Sequence, residues 1–312
     1  MAANLQPLSL GELLDRCFQY YKKHFGLFAG IVAIPAVVIA ACNLLVSAGP
    51  LWFSHALVSP LSQMFVIITS LIVVIISSVA YVIAHGAATY ALSQVHLGQP
   101  ISVASAYRQL KGRYTELVWL TILIGVRVFL FFIPFIIGLA IMMPNLVRFH
   151  SVVLALVGVI LAFGGFVLGV YWFLPYVIAI PALVVENIRP GEAIDRCSVL
   201  AGDYRWRIFV ITVLMTLITW IVTAVLLMPL GVGAFVSAAH RHSVHPMLTI
   251  VNSVFTPLAR IITIPLFVIA FTLAYYDCRV RKEGLDIELM LKSADPMNVS
   301  AQNPPSEPSP AS

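Results

Sequence analysis

Long apolar stretches alternate with short amphipathic ones along this chain, and the alternation runs through three rounds. In the first round Leu10, Leu13, Leu14, Cys17, Phe18, Tyr21 and Phe25 recur at helical spacing, with Asp15, Arg16, Gln19, Lys22 and Lys23 opposite them. That pattern predicts an amphipathic helix suited to the headgroup layer of a membrane. Ser9 with Glu12 three residues later has the spacing of a capping box at its start. Apolar spans follow at 26–48 and 63–92, joined by an uncharged loop at 49–62. The second round places Val103, Tyr107, Leu110 and Tyr114 on one face, then spans at 117–143 and 152–185, the latter interrupted by Pro175 and Pro181. The third opens at Pro190, a favoured first helical position. It carries Ala193, Ile194, Cys197, Leu200, Ala201 and Tyr204 as a stripe before spans at 207–236 and 247–276. A bilayer core takes about 20 helical residues to cross, and all six stretches meet that length.

The rounds are also related residue by residue. Gly191-Glu192-Ala193-Ile194-Asp195-Arg196-Cys197 answers Gly11-Glu12-Leu13-Leu14-Asp15-Arg16-Cys17 at an offset of 180, with five of seven positions identical. At an offset of 90, Pro100, Leu110, Gly112 and Tyr114 match Pro190, Leu200, Gly202 and Tyr204. A fixed period marks a repeat architecture. The predicted fold is an all-α integral membrane domain over 1–292, with units at about 9–98, 99–188 and 189–284. Each unit is an amphipathic interfacial helix followed by two transmembrane helices. Two spans return the chain to its starting side, so the three units are parallel repeats about an axis along the membrane normal. The tail from 293 to 312, rich in Ser, Pro, Asn and Ala, reads as disordered.

Composition and charge fix the side. The chain is 61% hydrophobic and 10% charged, too little polar surface for a soluble domain, so the bilayer is its solvent. Fourteen of the 18 Lys and Arg residues lie in the segments that share a side with the N-terminus. Arg148 and Arg241 alone lie in the opposite loops. This predicts an inner-membrane protein with both termini in the cytoplasm. The basic residues are dispersed rather than interleaved with aromatics in one run, which sets nucleic acid aside. The start is amphipathic rather than a charged segment leading straight into an apolar core, so it does not read as a cleaved signal. The 4 cysteines lack metal-ligand spacing and read as free thiols.

Three stretches resemble a bacterial family of polytopic membrane proteins, the membrane domain of glycerophosphoryl diester phosphodiesterase. The first runs from Leu13 to Phe25 (LLDRCFQYYKKHF). The second is Val185-Glu186 with Ala193-Ile194-Asp195-Arg196-Cys197 and Leu200-Ala201-Gly202, and the third runs from Tyr275 to Asp286 (YYDCRVRKEGLD). The resemblance implies a fold and a membrane location. The phosphodiesterase activity of the fused proteins belongs to a soluble barrel of about 250 residues, for which this chain has no room. It lends no catalytic residue.

Candidate chemistry is sparse. Arg127 and Arg260 sit near the middle of their spans, where a charge is costly and functional by default. Two readings stand: a site for an anionic group such as a phosphate, carboxylate or lipid headgroup, or capping of backbone carbonyls freed by Pro134, Pro257 and Pro265. His240, His242 and His245 in the third outer loop have a spacing that could bind zinc or copper, but no Cys or carboxylate completes a site, and a solvated loop is the simpler reading. The Asp-Arg-Cys triplets divide between helix faces and do not form a nucleophile with its base. Gly164, Gly165 and Gly169 suggest close helix packing. No acid–base pair, nucleophile constellation or phosphate loop occurs, and no cofactor is expected. The sequence therefore reads as a non-enzymatic membrane protein, a scaffold or accessory protein that organises lipids or partner proteins, with a homo-oligomer among the candidate partners. The alternative is a transporter or lipid-handling protein for an anionic substrate that uses Arg127 and Arg260, with a cavity reaching both.

Overall fold

The computed structural model describes residues 8–52, 60–149, 151–239 and 246–284; 94% of it is helical and no strand occurs among these residues. Three short helices, α1 (Leu10–Lys23), α4 (Val103–Leu110) and α8 (Pro190–Ala201), precede the long ones. The long helices are α2 (Phe25–Trp52), α3 (Pro60–His96), α5 (Tyr114–Pro144), α6 (Val152–Phe173), α9 (Arg205–Ala239) and α10 (Pro246–Glu283). A 3₁₀ turn at Leu174–Ile178 joins α6 to α7 (Ala179–Glu186). It carries Pro175, whose missing N–H breaks the α-helical ladder at the place the sequence indicates. Six of these stretches are long and apolar enough to cross a membrane, which makes the chain a multi-pass membrane protein.

Element ends follow local chemistry. At α1 the Glu12 amide donates to Ser9 Oγ (3.2 Å) and the Ser9 amide to Glu12 Oε2 (2.7 Å), the expected reciprocal cap. The same device opens α4 with Ser102 and Ser105, at 3.2 and 3.0 Å, a pair that the Glu/Gln pattern does not flag. Three stretches that return the chain to the short-helix end stop on left-handed residues: Gly98 after α3, Asn187 after α7 and Gly284 after α10. Glycine and asparagine tolerate that conformation, so each terminates its helix cleanly.

Two boundaries differ from the sequence reading. The loop expected at 49–62 is helical at both ends, as α2 runs to Trp52 and α3 opens at Pro60; 53–59 lie outside the described residues. The last span does not end at Tyr276, because α10 continues to Glu283. The first charges mark the end of the apolar segment but not of the helix, since Asp277, Arg279, Arg281 and Glu283 pair within these turns. A helix is expected to run on from Asp277, and α10 carries it to Glu283; Ile287, Met290 and Leu291, expected on one face of it, and the tail itself lie outside the described residues.

The core sits at the short-helix end. Leu13, Phe28, Leu92, Leu117, Ile194 and Tyr275 are fully buried there, with Cys17 and Cys197 beside them. Further along the spans, α3, α5 and α6 turn large apolar side chains outward, Ile67, Phe129 and Ile160 among them. Water would not tolerate such a belt, whereas lipid is as apolar as the side chains. Helix α10 packs on α2 and α9, α2 on α3, and α5 on α6. The α5–α6 contact is backbone to backbone. A Cβ on Gly138 would meet the Ala162 nitrogen at 2.2 Å, and one on Gly165 the Phe135 nitrogen at 2.3 Å. Gly169 lies against the Phe132 ring, while Gly164 faces away from the contact.

Candidate functional site

Mid-span polar groups of α2, α3 and α10 gather at one place. In α3, Tyr81 lies 15 residues before the helix end at His96, about 22 Å along the axis at 1.5 Å per residue. The Arg260 guanidinium of α10 sits over the Tyr81 ring, 4.9 Å from its centroid. The two line a cavity of about 280 Å³ between α2, α3 and α10. Asn43 of α2, Ser77 and Ser78 of α3, and Thr256 and Pro257 of α10 complete its polar and backbone wall. Ile39, Val73 and Val74 supply the apolar part.

The hydrogen-bond inventory of this cavity is unbalanced. Arg260 is exposed and takes part in none of the ion pairs among the described residues. Among the described residues Tyr81 Oη is buried and meets no partner in hydrogen-bond geometry, with the Arg260 guanidinium as its neighbouring charge. The Ser77 and Ser78 hydroxyls donate to the Val73 and Val74 carbonyls of their own helix, at 2.6 and 2.8 Å, which leaves their lone pairs to accept. Among the described residues no carboxylate lines the cavity. A guanidinium with five donors in a fixed fork, over a tyrosine ring and without a counter-charge among the described residues, is set up to receive an anion.

Arg127 is elsewhere. It is half-buried on α5, lies within electrostatic reach of the Cys197 thiol in α8, and does not line the cavity. The sequence singled out both arginines by depth, and the fold sends them to different surfaces. Neither hydrogen-bonds a backbone carbonyl among the described residues. A proline-freed carbonyl is instead satisfied from a short helix: Pro35 deprives Ile31 of its helical donor, and Tyr107 Oη of α4 donates to the Ile31 carbonyl at 2.7 Å. Helix α1 reaches α10 in a similar way near Pro265, where Tyr21 Oη donates to the Ile262 carbonyl at 3.0 Å.

A second concentration of polar groups lies at the short-helix end, and it is closed. Asp277 is buried and binds Arg207 (2.8 Å) and Arg281 (3.1 Å), while its Oδ1 accepts the Leu8 amide at 2.9 Å. Both arginines donate to the Leu8 carbonyl, so the chain before α1 is clamped by one carboxylate and two guanidinium groups. Glu186 accepts from Tyr275 Oη (2.7 Å) and Arg196 (2.8 Å), and Arg196 pairs onward with Glu283. Arg113 donates to the Leu183 and Ile188 carbonyls at the end of α7. These groups pair with one another, so they read as structural, while Arg205 in the same turn as Arg207 lies over the Tyr171 and Trp172 rings with guanidinium atoms that have no hydrogen-bond partner among the described residues. The sequence reading counted their charges for topology without finding the pairs, which join residues up to 273 positions apart.

The remaining sequence candidates are quickly placed. His240, His242 and His245 lie outside the described residues. Among the described residues no group of three His, Cys, Asp or Glu could hold a metal ion. The four cysteines form no disulfide, and Cys17, Cys197 and Cys278 are buried. Burial pushes the Cys17 thiol up to about 12, away from reactivity. The Ser9 cap holds the exposed Glu12 carboxyl below the usual carboxylate range.

No family model, curated protein or solved structure matches the chain.

Proposed function

We propose that this chain is a non-enzymatic, lipid- or anion-handling protein of the inner membrane, built from three parallel helical repeats with cytoplasmic termini, and that Arg260 holds the anionic group of its ligand. The observation that carries the functional reading is the exposed guanidinium without a carboxylate partner, inside a polar cavity among apolar spans. A charge at mid-span depth without compensation is costly in a membrane, and a bound anion supplies the compensation.

The repeat reading is supported by how the short helices dock. Helix α1 of the first unit packs on α10 of the third, α4 of the second on α2 and α3 of the first, and α8 of the third on α5 and α7 of the second. Each short helix thus lies against the unit before it, in cyclic order, as a ring of equivalent units requires. The topology rests on the charge bias. The resemblance to the membrane domain of glycerophosphoryl diester phosphodiesterase adds a fold and a location to this proposal, and no activity.

The test of function is thermal stability of the purified protein across a panel of soluble anions and anionic lipids, for wild type, Arg260→Gln and Arg127→Gln. Stabilisation by an anion in wild type and Arg127→Gln, lost in Arg260→Gln, supports the reading. No difference between wild type and Arg260→Gln for any anion refutes it. A scaffold role is the second reading. It is favoured by the unpartnered side of α1, where Phe18, Gln19, Lys22 and Lys23 are exposed to whatever adjoins the membrane surface.

A further inference from the structure

The cavity at Arg260 has a wall in common with the outer surface. Val74 lines the cavity and is also 60% exposed. On the same stretch of α3, Ile67, Leu71 and Ile75 are all more than half exposed. The cavity mouth therefore adjoins a strip of apolar surface on a helix long and apolar enough to cross a membrane. A free inorganic anion approaching from this side would have to cross hydrocarbon to reach the guanidinium. An amphiphile would not, because its tails already lie along that strip.

The polar lining narrows the head. Arg260 brings one positive charge that no lining carboxylate offsets, which matches a head with one net negative charge. Donors come from Arg260, Tyr81 Oη and the Asn43 amide. Acceptors come from the Ser77 and Ser78 oxygens, whose protons are committed to Val73 and Val74. A phosphodiester oxygen pair would face the donors, and a hydroxyl on the same head would face the serines.

We infer that the ligand of this site is a membrane phospholipid with a singly negative, hydroxyl-bearing head, which enters sideways past Val74 and sets its phosphate on Arg260 while its tails stay along the exposed face of α3. The inference rests on the proposed anion-handling role and names its substrate class and route.

The experiment is native mass spectrometry of the full chain released from bilayers of phosphatidylglycerol mixed equally with phosphatidylcholine, with and without millimolar inorganic phosphate. Wild type is expected to retain phosphatidylglycerol over phosphatidylcholine by about tenfold or more, undisturbed by phosphate, since the choline cation is repelled by Arg260 and offers the serines no hydroxyl. Arg260→Gln loses the preference. Val74→Trp, which fills the mouth and leaves Arg260 in place, loses it too. Where the Gln variant does not fold, Arg260→Lys replaces it and keeps part of the preference, because the ammonium lacks the planar fork. Equal retention of the two lipids by wild type overturns the inference, and so does displacement of phosphatidylglycerol by inorganic phosphate. That displacement leaves the broader anion reading standing. Failure of that reading looks different: neither lipid nor phosphate then distinguishes wild type from Arg260→Gln.

Discussion

Removing the Tyr107 hydroxyl isolates one hydrogen bond on which the docking of α4 depends. Ile31 is fully buried, and Pro35 has taken away the amide that would have satisfied its carbonyl. Tyr107 Oη supplies the replacement at 2.7 Å. Leaving a buried acceptor unsatisfied costs ~1–3 kcal/mol in soluble proteins. Side-chain hydrogen bonds between membrane helices average only ~0.6 kcal/mol, with ~1.7 as the upper end, because separated helices find other partners. Here the separated helix still contains Pro35, so its Ile31 carbonyl gains no intrahelical donor when α4 leaves. The upper end applies, and Tyr107→Phe should cost about 1.5 kcal/mol. Pro35→Ala restores the backbone donor to Ile31. In that background Tyr107→Phe should cost about 0.5 kcal/mol, a coupling of about 1 kcal/mol that a double-mutant cycle isolates from the change in packing at Pro35. Equilibrium unfolding in mixed micelles, followed by tryptophan fluorescence and far-UV circular dichroism, gives the four stabilities. Equal costs of Tyr107→Phe in the two backgrounds would refute the assignment of the hydroxyl to the proline-freed carbonyl.

Further predictions address the other contacts. Gly165→Leu drives a side chain into the Phe135 backbone, so α5 and α6 must separate; a loss of about 3 kcal/mol or more is expected, against a small effect for Gly164→Leu, read as thermal stability in detergent. Asp277→Asn leaves Arg207 and Arg281 without their carboxylate in a buried setting, for about 3 kcal/mol, and should release the segment at Leu8 to protease. Because the folded Glu12 carboxyl titrates below its unfolded value, its contribution to α1 is present above the unfolded pKa and lost as pH falls through the folded one. Glu12→Gln should therefore flatten the acid limb of α1 docking, measured by a spin label at Gln19, weakening docking near neutral pH and changing little once the wild-type carboxyl is protonated. A thiol pushed up to about 12 is almost wholly protonated at pH 8, so iodoacetamide should spare Cys17 in the folded protein and reach it after denaturation.

The architecture was legible where the signal is local or periodic. Apolar length gave the six spans, the Ser9–Glu12 spacing gave the cap of α1, and Pro175 marked the break between α6 and α7. The glycines of α6 were legible as packing residues, although spacing alone could not tell Gly165, which touches α5, from Gly164, which does not. The site was legible only in part. Arg260 stands out by its depth, but Tyr81, Asn43, Ser77 and Ser78 are ordinary residues in apolar helices until three helices are brought together. Arg127 has the same sequence signal as Arg260 and a different setting, because depth along a helix says nothing of which face meets a cavity. The ionic layer joins Leu8, Glu186, Arg207 and Asp277 across the whole chain, and no window of sequence contains those pairs.

The central claim is that Arg260 meets an anionic head inside the membrane. A cryo-electron microscopy map of the protein in phosphatidylglycerol nanodiscs tests it most directly. The account predicts headgroup density between α2, α3 and α10, within hydrogen-bonding distance of the Arg260 guanidinium and Tyr81 Oη, with tail density along α3 at Val74. A cavity closed by repacked side chains, or Arg260 paired with a carboxylate of this chain and no lipid beside it, would contradict the claim.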